Sequence, residues 1–417
     1  MRLKTFVLSL LLCVATSSYA HTNPKLIART KTGSKDQPAG ERYKVGWMNV
    51  VTLNGDFNTM GQQYGELMQK EILLAYDLIV QKMFLDRNIT TYEVLKEFLF
   101  DKGWAPISSR QKALFKGIAD ASGLPLEKVF ILDQINLALA LLAHGSLPPS
   151  FPGCSYLAAW GAFTQDRSVI LARNLDWFLP FAEFAQLLTL VVFKPMDGSQ
   201  YVANVAYAGW VNVLTAFNDR GLFVELNSGM DVMGHVWHID RSHYMNELLE
   251  MMFDSDSLET LERRLATART EFPNIISVAD GRSSTTYENA PQQVVRRDGD
   301  YDGLIVATNN YLSGYWGIQV VDNPSLSMVR YLHLQTLAND NMGTIDMEVM
   351  KTIMEQPLQF PNGSTANGAT MYGPPAKSVP ERTVYTVVAQ PSKRKMWIRI
   401  PKMTPWQEID YGYFFDN

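Results

Sequence analysis

The sequence predicts an α+β protein with mostly antiparallel sheets, on three observations. The chain before Cys154 reads as mainly helical; the chain after it opens with a block of short strands, and it closes with a hairpin. Strands and helices come in blocks rather than in strict alternation, which disfavours a doubly wound parallel sheet.

The first elements are simple to justify. MRLKTFVLSLLLCVATSSYA has a basic start at Arg2 and Lys4, an apolar run from Phe6 to Ala15, and a small-x-small ending at Ser18-Tyr19-Ala20. It reads as a secretory leader over 1–20, with a mature chain from about His21 and an exported destination, periplasmic or secreted, or lysosomal or extracellular in a eukaryote. The run is too short to span a bilayer, so stable membrane insertion is not expected. Residues 21–45 are polar and read as a loose mature N-terminus. Lys44–Leu53 (KVGWMNVVTL) is β-branched and aromatic, as strands are. From Asn58 to Phe84 a helix is predicted, with Met60, Tyr64, Leu67, Met68, Ile72 and Tyr76 near one apolar stripe. Gly61 and Gly65 fall on one face of it, so another element is expected to approach closely there. Ser108-Ser109 caps a second helix running to Ala121, stopped by Gly123-Leu124-Pro125, and a buried third helix spans Leu126–Leu142. His144–Gly153 (HGSLPPSFPG) is a Pro/Gly loop.

Strands are predicted over Ser155–Phe163, Val169–Asn174, Leu187–Lys194, Tyr201–Ala206, Val211–Phe217 and Gly221–Asn227. A helical stretch over Met245–Ala268 follows, then strands at Ile275–Ala279, Gln293–Arg296 and Leu304–Asn309. Helices are predicted over Met328–Leu337 and Met347–Met354, and a hairpin over Val384–Ala389 and Met396–Ile400.

Composition narrows the function. Of 417 residues, 47% are hydrophobic and 19% charged, an ordinary globular balance, and the formal net charge of -5 disfavours a nucleic-acid binder. Cys13 leaves with the leader, so the mature chain keeps one cysteine, Cys154. An odd thiol in an oxidising compartment is either an inert core residue, half of an intermolecular disulfide, or a reactive group.

The neighbourhood of Cys154 favours reactivity. A turn around Thr164–Ser168 would pair the two following strands and lay Cys154 opposite Arg173–Trp177 (RNLDW). Arg173 and Asp176 then reach the thiol by local geometry; a nearby cation favours thiolate. Were the Gly153–Cys154 bond cut, the new α-amine, with a pKa near 8, would serve as general base for its own side chain. Gly153 leaves its carbonyl open to the sulfur.

These motifs resemble those of the N-terminal nucleophile hydrolases that act on linear amides, a superfamily with choloylglycine hydrolases, penicillin V acylases and acid ceramidase-like amidases. The nearest resemblance is to the acyl-coenzyme A:6-aminopenicillanic acid acyltransferase family. It is carried by Gly153-Cys154-Ser155, Ala172–Trp177, Asn218-Asp219-Arg220-Gly221-Leu222 leading to Leu226-Asn227, Thr308-Asn309, and Arg330 within Met328–Tyr331. Gly55-Asp56-Phe57, Gly61-x-x-x-Gly65 and Thr383-Val384-Tyr385 extend it over most of the chain. The resemblance implies a four-layer αββα sandwich. It also implies a prosegment over 21–153 that stays bound as a second subunit after self-cleavage between Gly153 and Cys154, and a catalytic part over 154–417. Cys154 would be the nucleophile, Asn227 an oxyanion donor, Arg173 and Asp176 orienting groups, and Asn309 and Arg330 the rest of the site.

The expected activity is hydrolysis of a small N-acyl amide through a thioester, with no cofactor or metal. Transfer of the acyl group to an amine, and a non-catalytic exported binding protein of the same fold, are the alternatives. His235 and His238 lack a third metal ligand. Trp160, Tyr207 and Trp210 read as core packing before they read as an acyl pocket.

Overall fold

The computed structural model describes residues 23–31, 38–145, 153–176, 184–229, 238, 240–241, 243–300, 303–318, 326–359, 365–366 and 383–417. The leader, most of the Pro/Gly loop before Gly153, Trp177 and His235 lie outside them.

The chain opens with β1 (Lys25–Arg29), β2 (Glu41–Val45) and β3 (Met48–Gly55). Residues expected to be loose are therefore strands: β1 pairs with β2 and β2 with β3, antiparallel. β1 and β2 bury little, so they carry no apolar alternation that a sequence reading could use. The predicted helix from Asn58 is realised in pieces: α1 (Phe57–Leu67), then α2 (Gln69–Ala75), which continues in wider π-type turns over Tyr76–Leu85. A further helix, α3 (Tyr92–Leu95, continuing to Asp101), has no counterpart in the sequence reading.

α4 (Ser109–Ser122) starts and stops as its capping residues dictate. The Ser108 hydroxyl accepts from the Gln111 amide, and Gly123 closes the helix in the left-handed conformation, with φ of 76°. α1 and α4 cross at glycines: a Cβ built on Gly61 would lie 2.1 Å from the Leu114 carbonyl oxygen, and one on Gly117 2.2 Å from that of Asn58. The close approach expected at Gly61 and Gly65 is thus made by α4. α5 (Leu126–Gly145) completes the helical region.

The strands after Gly153 are β4 (Cys154–Ala159), β5 (Ile170–Asp176), β6 (Leu188–Pro195), β7 (Val202–Tyr207), β8 (Thr215–Asn218) and β9 (Phe223–Ser228). β8 is shorter than expected, because the amides of Val211 and Asn212 turn to the buried carboxylate of Asp133 on α5, at 2.7 and 3.0 Å, instead of to a neighbouring strand. The helical stretch from Met245 is two helices, α6 (Tyr244–Asp254) and α7 (Leu258–Thr267). The break lies where Asn218 Nδ2 donates to the Met252 and Ser255 carbonyls, after which Ser257 caps a fresh start. Then come β10 (Asn274–Ala279), β11 (Ser284–Asn289), β12 (Val294–Asp298), β13 (Leu304–Ala307), α8 (Ser327–Asp340) and α9 (Met347–Glu355). A small ribbon, β14 (Leu358–Gln359) with β15 (Thr365–Ala366), precedes β16 (Thr383–Gln390), β17 (Lys395–Arg399), β18 (Gln407–Asp410) and α10 (Tyr411–Asp416).

Two large sheets result. One runs β1-β2-β3-β6-β7-β8-β9-β10-β11-β12 and the other β13-β4-β5-β16-β17-β18. Pairing is antiparallel except where β3 lies parallel to β6, Asn49 opposite Thr189 through Gly55 opposite Pro195. The fold is α+β, as expected, and three strands from before Cys154 are part of its larger sheet.

Strand alternation sorts the smaller sheet into two faces. Leu157, Ala159, Ile170 and Ala172 pack with Leu334, Ala338, Met350 and Met354 of α8 and α9. Tyr156, Ala158, Leu171 and Leu175 join the core shared with the larger sheet. The Tyr156 ring stacks on Phe223, 5.8 Å between centroids, and its hydroxyl meets Ser284 at 2.8 Å. Cys154 opens β4 in this inter-sheet layer.

Candidate active site

The register of β4 on β5 sets the site. Cys154 lies opposite Leu175 and Tyr156 opposite Arg173, within the partner segment the turn predicted. Cys154 is buried, with 2% of its surface exposed. Its Sγ lies 3.9 Å from the backbone oxygen of Asp176.

Two predicted residues meet at its backbone. The Cys154 amide donates to Asn309 Oδ1 at 3.1 Å, and the Cys154 carbonyl accepts from Arg330 Nη1 at 2.6 Å. Arg330 Nη2 reaches the same Asn309 oxygen at 2.5 Å, and Asn309 Nδ2 donates to the Ser228 carbonyl at 2.8 Å. Two donors on Oδ1 and an acceptor on Nδ2 define which way the amide points. Asn309 is delivered by the end of β13, and Arg330 by the first turns of α8. The two are joined because the Asn309 amide donates to Ser327 Oγ at 2.8 Å, while Ser327 and Thr308 hydroxyls bond at 2.9 Å.

Asn227 comes from the facing sheet, next to Ser228, so the Asn309 bridge brings its end of β9 beside Cys154. Asn227 is wholly buried, yet neither its Oδ1 nor its Nδ2 has a hydrogen-bond partner among the described residues. A buried amide left unpaired costs free energy, about 1–3 kcal/mol. Such a group is what an incoming oxygen would satisfy.

Arg173 is fully buried and spreads its guanidinium over the facing sheet: Nη1 to the Leu214 carbonyl and to Thr215 Oγ1 at 2.8 Å, Nη2 to the Leu226 carbonyl at 3.0 Å. Its Nε stands 3.5 Å from Glu225 Oε2. Asp176 accepts from the Thr383 hydroxyl at 2.6 Å, so its carboxylate is held by β16 and its contact with the sulfur runs through the backbone. All six predicted residues are described; Cys154, Asn309 and Arg330 bond directly, and Arg173, Asp176 and Asn227 surround them.

The electrostatics depart from the expected activation of the thiol. Burial pushes Cys154 up to about 11; Arg173 pulls downward without winning, and Asp176 and Glu225 add to the rise. Loss of water outweighs one cation whose charge a carboxylate partly offsets. Glu225 was missed at the sequence level. The signal was present: in Phe223-Val224-Glu225-Leu226-Asn227 a glutamate stands two residues from Asn227, on the same inward face of a strand. Tyr385, whose hydroxyl meets Thr215 Oγ1 at 3.0 Å, is a second unforeseen neighbour.

Among the described residues no three His, Cys, Asp or Glu side chains are grouped to hold a metal ion, and no helix is long and apolar enough to cross a membrane. Trp210 and Tyr207 are buried and pack edge to face, 5.1 Å apart.

No family model matches the chain. A protein of Dictyostelium discoideum, Protein dcd1B, is 21% identical over a match that covers 55% of this chain and 49% of that protein. This chain thus spans about half the length of the curated relative it matches. Among solved structures, a variant of the conjugated bile acid hydrolase from Clostridium perfringens is 13% identical, covers 62% of this chain and 93% of its own, and has a TM-score of 0.43. The Caenorhabditis elegans N-acylethanolamine-hydrolyzing acid amidase ortholog is 14% identical, with coverage of 57% and 93% and a TM-score of 0.38. Penicillin V acylase from Agrobacterium tumefaciens is 14% identical, with coverage of 61% and 85% and a TM-score of 0.39. These are distant structural similarities to hydrolases of linear amides.

Proposed function

We propose that this chain is an exported, self-processing cysteine amidase that hydrolyses the linear amide of a small N-acylated amine or amino acid. The observation that carries the reading is the hydrogen bond from the Cys154 backbone nitrogen to Asn309 Oδ1. Scission after Gly153 would turn that nitrogen into an α-amine, and its orienting acceptor is already in place. On this reading the two sheets, with helices against both, form the αββα sandwich of an N-terminal nucleophile hydrolase.

In self-processing, Cys154 Sγ attacks the Gly153 carbonyl carbon, the thiol proton passes to the Cys154 nitrogen as the C–N bond breaks and the acyl group moves to sulfur, and water then releases a Gly153 carboxylate and a free Cys154 amine. Before scission that nitrogen is an amide and cannot accept a proton, and the buried thiol is held protonated. Afterwards an amine of pKa near 8 can take the thiol proton. The thiolate then adds to the substrate carbonyl. Asn227 Nδ2 donates to the oxyanion, an interaction worth about 3 kcal/mol in such sites. The amine returns its proton to the leaving nitrogen, and water resolves the thioester. Arg330 and Asn309 hold the Cys154 backbone while its nitrogen changes from amide to amine, and the severed 21–153 part stays in place as a second subunit.

The test is intact mass and N-terminal sequencing of the wild-type protein beside Cys154→Ala. A wild-type fragment beginning Cys-Ser-Tyr, an uncut variant, and release of amine from N-acyl amides by wild type alone support the reading. Acyl transfer in place of hydrolysis would show as a new amide when an acceptor amine is added. Two uncut, inactive proteins would favour a binding protein.

A further inference from the structure

Two side chains from before Cys154 grip one turn of the facing sheet, and the mechanism above uses neither. The turn is Tyr207–Asn212, between β7 and β8. Tyr64 on α1 is fully buried; its hydroxyl donates to the Tyr207 carbonyl at 3.4 Å and accepts the Gly209 amide at 3.0 Å. Asp133 on α5 is fully buried too. Its Oδ1 accepts the Val211 and Asn212 amides at 2.7 and 3.0 Å, and its Oδ2 accepts Gln134 Nε2 at 2.6 Å and Asn246 Nδ2 at 3.1 Å. The Asp133 carbonyl accepts Asn212 Nδ2 as well. Gly209 lets the turn close against α5: its φ is 88°, and a Cβ there would lie 2.8 Å from Leu132 Cδ2.

We propose that Tyr64 and Asp133 are positioning residues of the Cys154 site, which hold the Tyr207–Asn212 turn so that Leu214 and Thr215 present their oxygens to Arg173. The inference rests on the reading of Cys154 as the reactive group. The turn runs straight into those two acceptors: Arg173 Nη1 donates to the Leu214 carbonyl and, at 2.8 Å, to Thr215 Oγ1. Between them and Asn212 there is only Val213, whose amide is taken by the Met245 carbonyl at 3.0 Å. Four donors converge on the Asp133 side chain. A carboxylate accepts from all four, whereas an asparagine would turn its own NH2 toward two of them. These donors are uncharged amides, and a buried charge held that way is costly, more than filling space in a core requires. What the charge secures is backbone two residues from an Arg173 acceptor. On this inference the 21–153 part, once severed, still supplies two side chains that keep the site in order.

The experiment is the rate of Cys154 alkylation by iodoacetamide, read by mass on the peptide that contains Cys154, in wild type, Asp133→Asn and Tyr64→Phe. Below the pH at which it levels off, the rate follows the thiolate fraction, and Arg173 is the cation that favours thiolate. A displaced Arg173 should therefore slow alkylation by about 3- to 10-fold in Asp133→Asn, since a facing cation changes the thiolate fraction by that much or more. Tyr64→Phe should slow it by less. A merely structural role predicts the opposite sign, because a loosened core admits the reagent to the buried thiol. Tyr64→Phe keeps the ring and removes two bonds, so it carries the comparison if Asp133→Asn does not accumulate as folded protein. A slower rate in either folded variant supports the proposal; rates equal to wild type or faster in every folded variant overturn it. Alkylation needs no turnover, so the two readings fail separately. Slowed alkylation in a chain that is never cut would retain the role of Tyr64 and Asp133 and remove the amidase; an active, cut protein with unslowed alkylation would do the reverse.

Discussion

The carbonyl oxygen of Cys154 and the guanidinium of Arg330 are 2.6 Å apart, and the same guanidinium holds the Asn309 oxygen that accepts the Cys154 amide. One cation thereby fixes both sides of the Cys154 peptide unit. Arg330→Lys supplies one compact charge and cannot span both acceptors with the same fork. Losing one charge-assisted bond of this kind is worth about 1.5–3 kcal/mol, so the rate of appearance of the Cys-Ser-Tyr terminus should fall by about 10- to 100-fold. Time-resolved gel analysis of freshly purified protein measures it; an unchanged rate would remove Arg330 from the site.

Asn227 offers the opposite profile. Because its amide bonds nothing in the described protein, Asn227→Ala should leave the melting temperature within a few degrees, about 1 kcal/mol. Turnover should fall about 100- to 1000-fold in kcat with KM little altered, as for loss of an oxyanion donor. A large loss of stability with unchanged kcat would reassign Asn227 to the core.

The crossing of α1 on α4 admits no methyl group. Gly61→Ala would bring a Cβ to 2.1 Å of the Leu114 carbonyl oxygen, which belongs to helix backbone and cannot swing aside. Overpacking of this sort costs about 1–3 kcal/mol or more. Gly123→Ala meets no neighbouring atom, and its cost is that of the left-handed φ alone. Thermal unfolding of the two variants should therefore rank Gly61→Ala as the more damaging.

A pH-dependent element lies away from Cys154. His243 Nδ1 accepts the Met245 amide at 3.2 Å and also faces Glu271 Oε1 at 3.2 Å. With Nδ1 accepting from the amide, an ionised Glu271 would set two acceptors face to face, so the contact favours the neutral acid. Burial agrees, raising Glu271 to about 8 and lowering His243 to about 3. The folded protein keeps on Glu271 a proton that the unfolded chain releases, so this contribution is full below about 4.5 and is lost as pH rises through 8. His243 works the other way, its contribution present above about 6.5 and lost as pH falls toward 3. Glu271→Gln imitates the neutral acid. Measured as the difference in melting temperature from wild type, it should gain between pH 4.5 and 8; a difference independent of pH would refute the neutral pair.

Legibility in the sequence followed the kind of force at work. The Cys154–Leu175 register was readable because a short turn determines pairing by symmetry, and α4 because its caps are local chemistry. β11 (STTYEN) was not read as a strand: its polar residues are buried through partners that no periodicity reveals. Ser284 meets Tyr156 across the sheets, and Asn289 Nδ2 donates to Tyr244 at 3.0 Å. The motifs named all six candidate site residues, but the protonated state of the thiol and the counter-charge on Arg173 depend on burial, which a linear pattern does not display.

The parallel pairing of β3 with β6 has a practical consequence for anyone dividing this protein. Residues 154–417 made alone would present β6 with an unpaired, apolar margin where β3 belongs, an invitation to intermolecular strand addition. They would also lose Asp133 as acceptor for Val211 and Asn212, and Arg110 as partner of Asp197 and Asp254. On the proposed reading the uncut chain assembles first, and the ladder, the buried carboxylate and the ion pairs would hold the two parts afterwards. Two separately produced halves should accumulate as aggregates, whereas a chain nicked after folding should run as a single species until denatured.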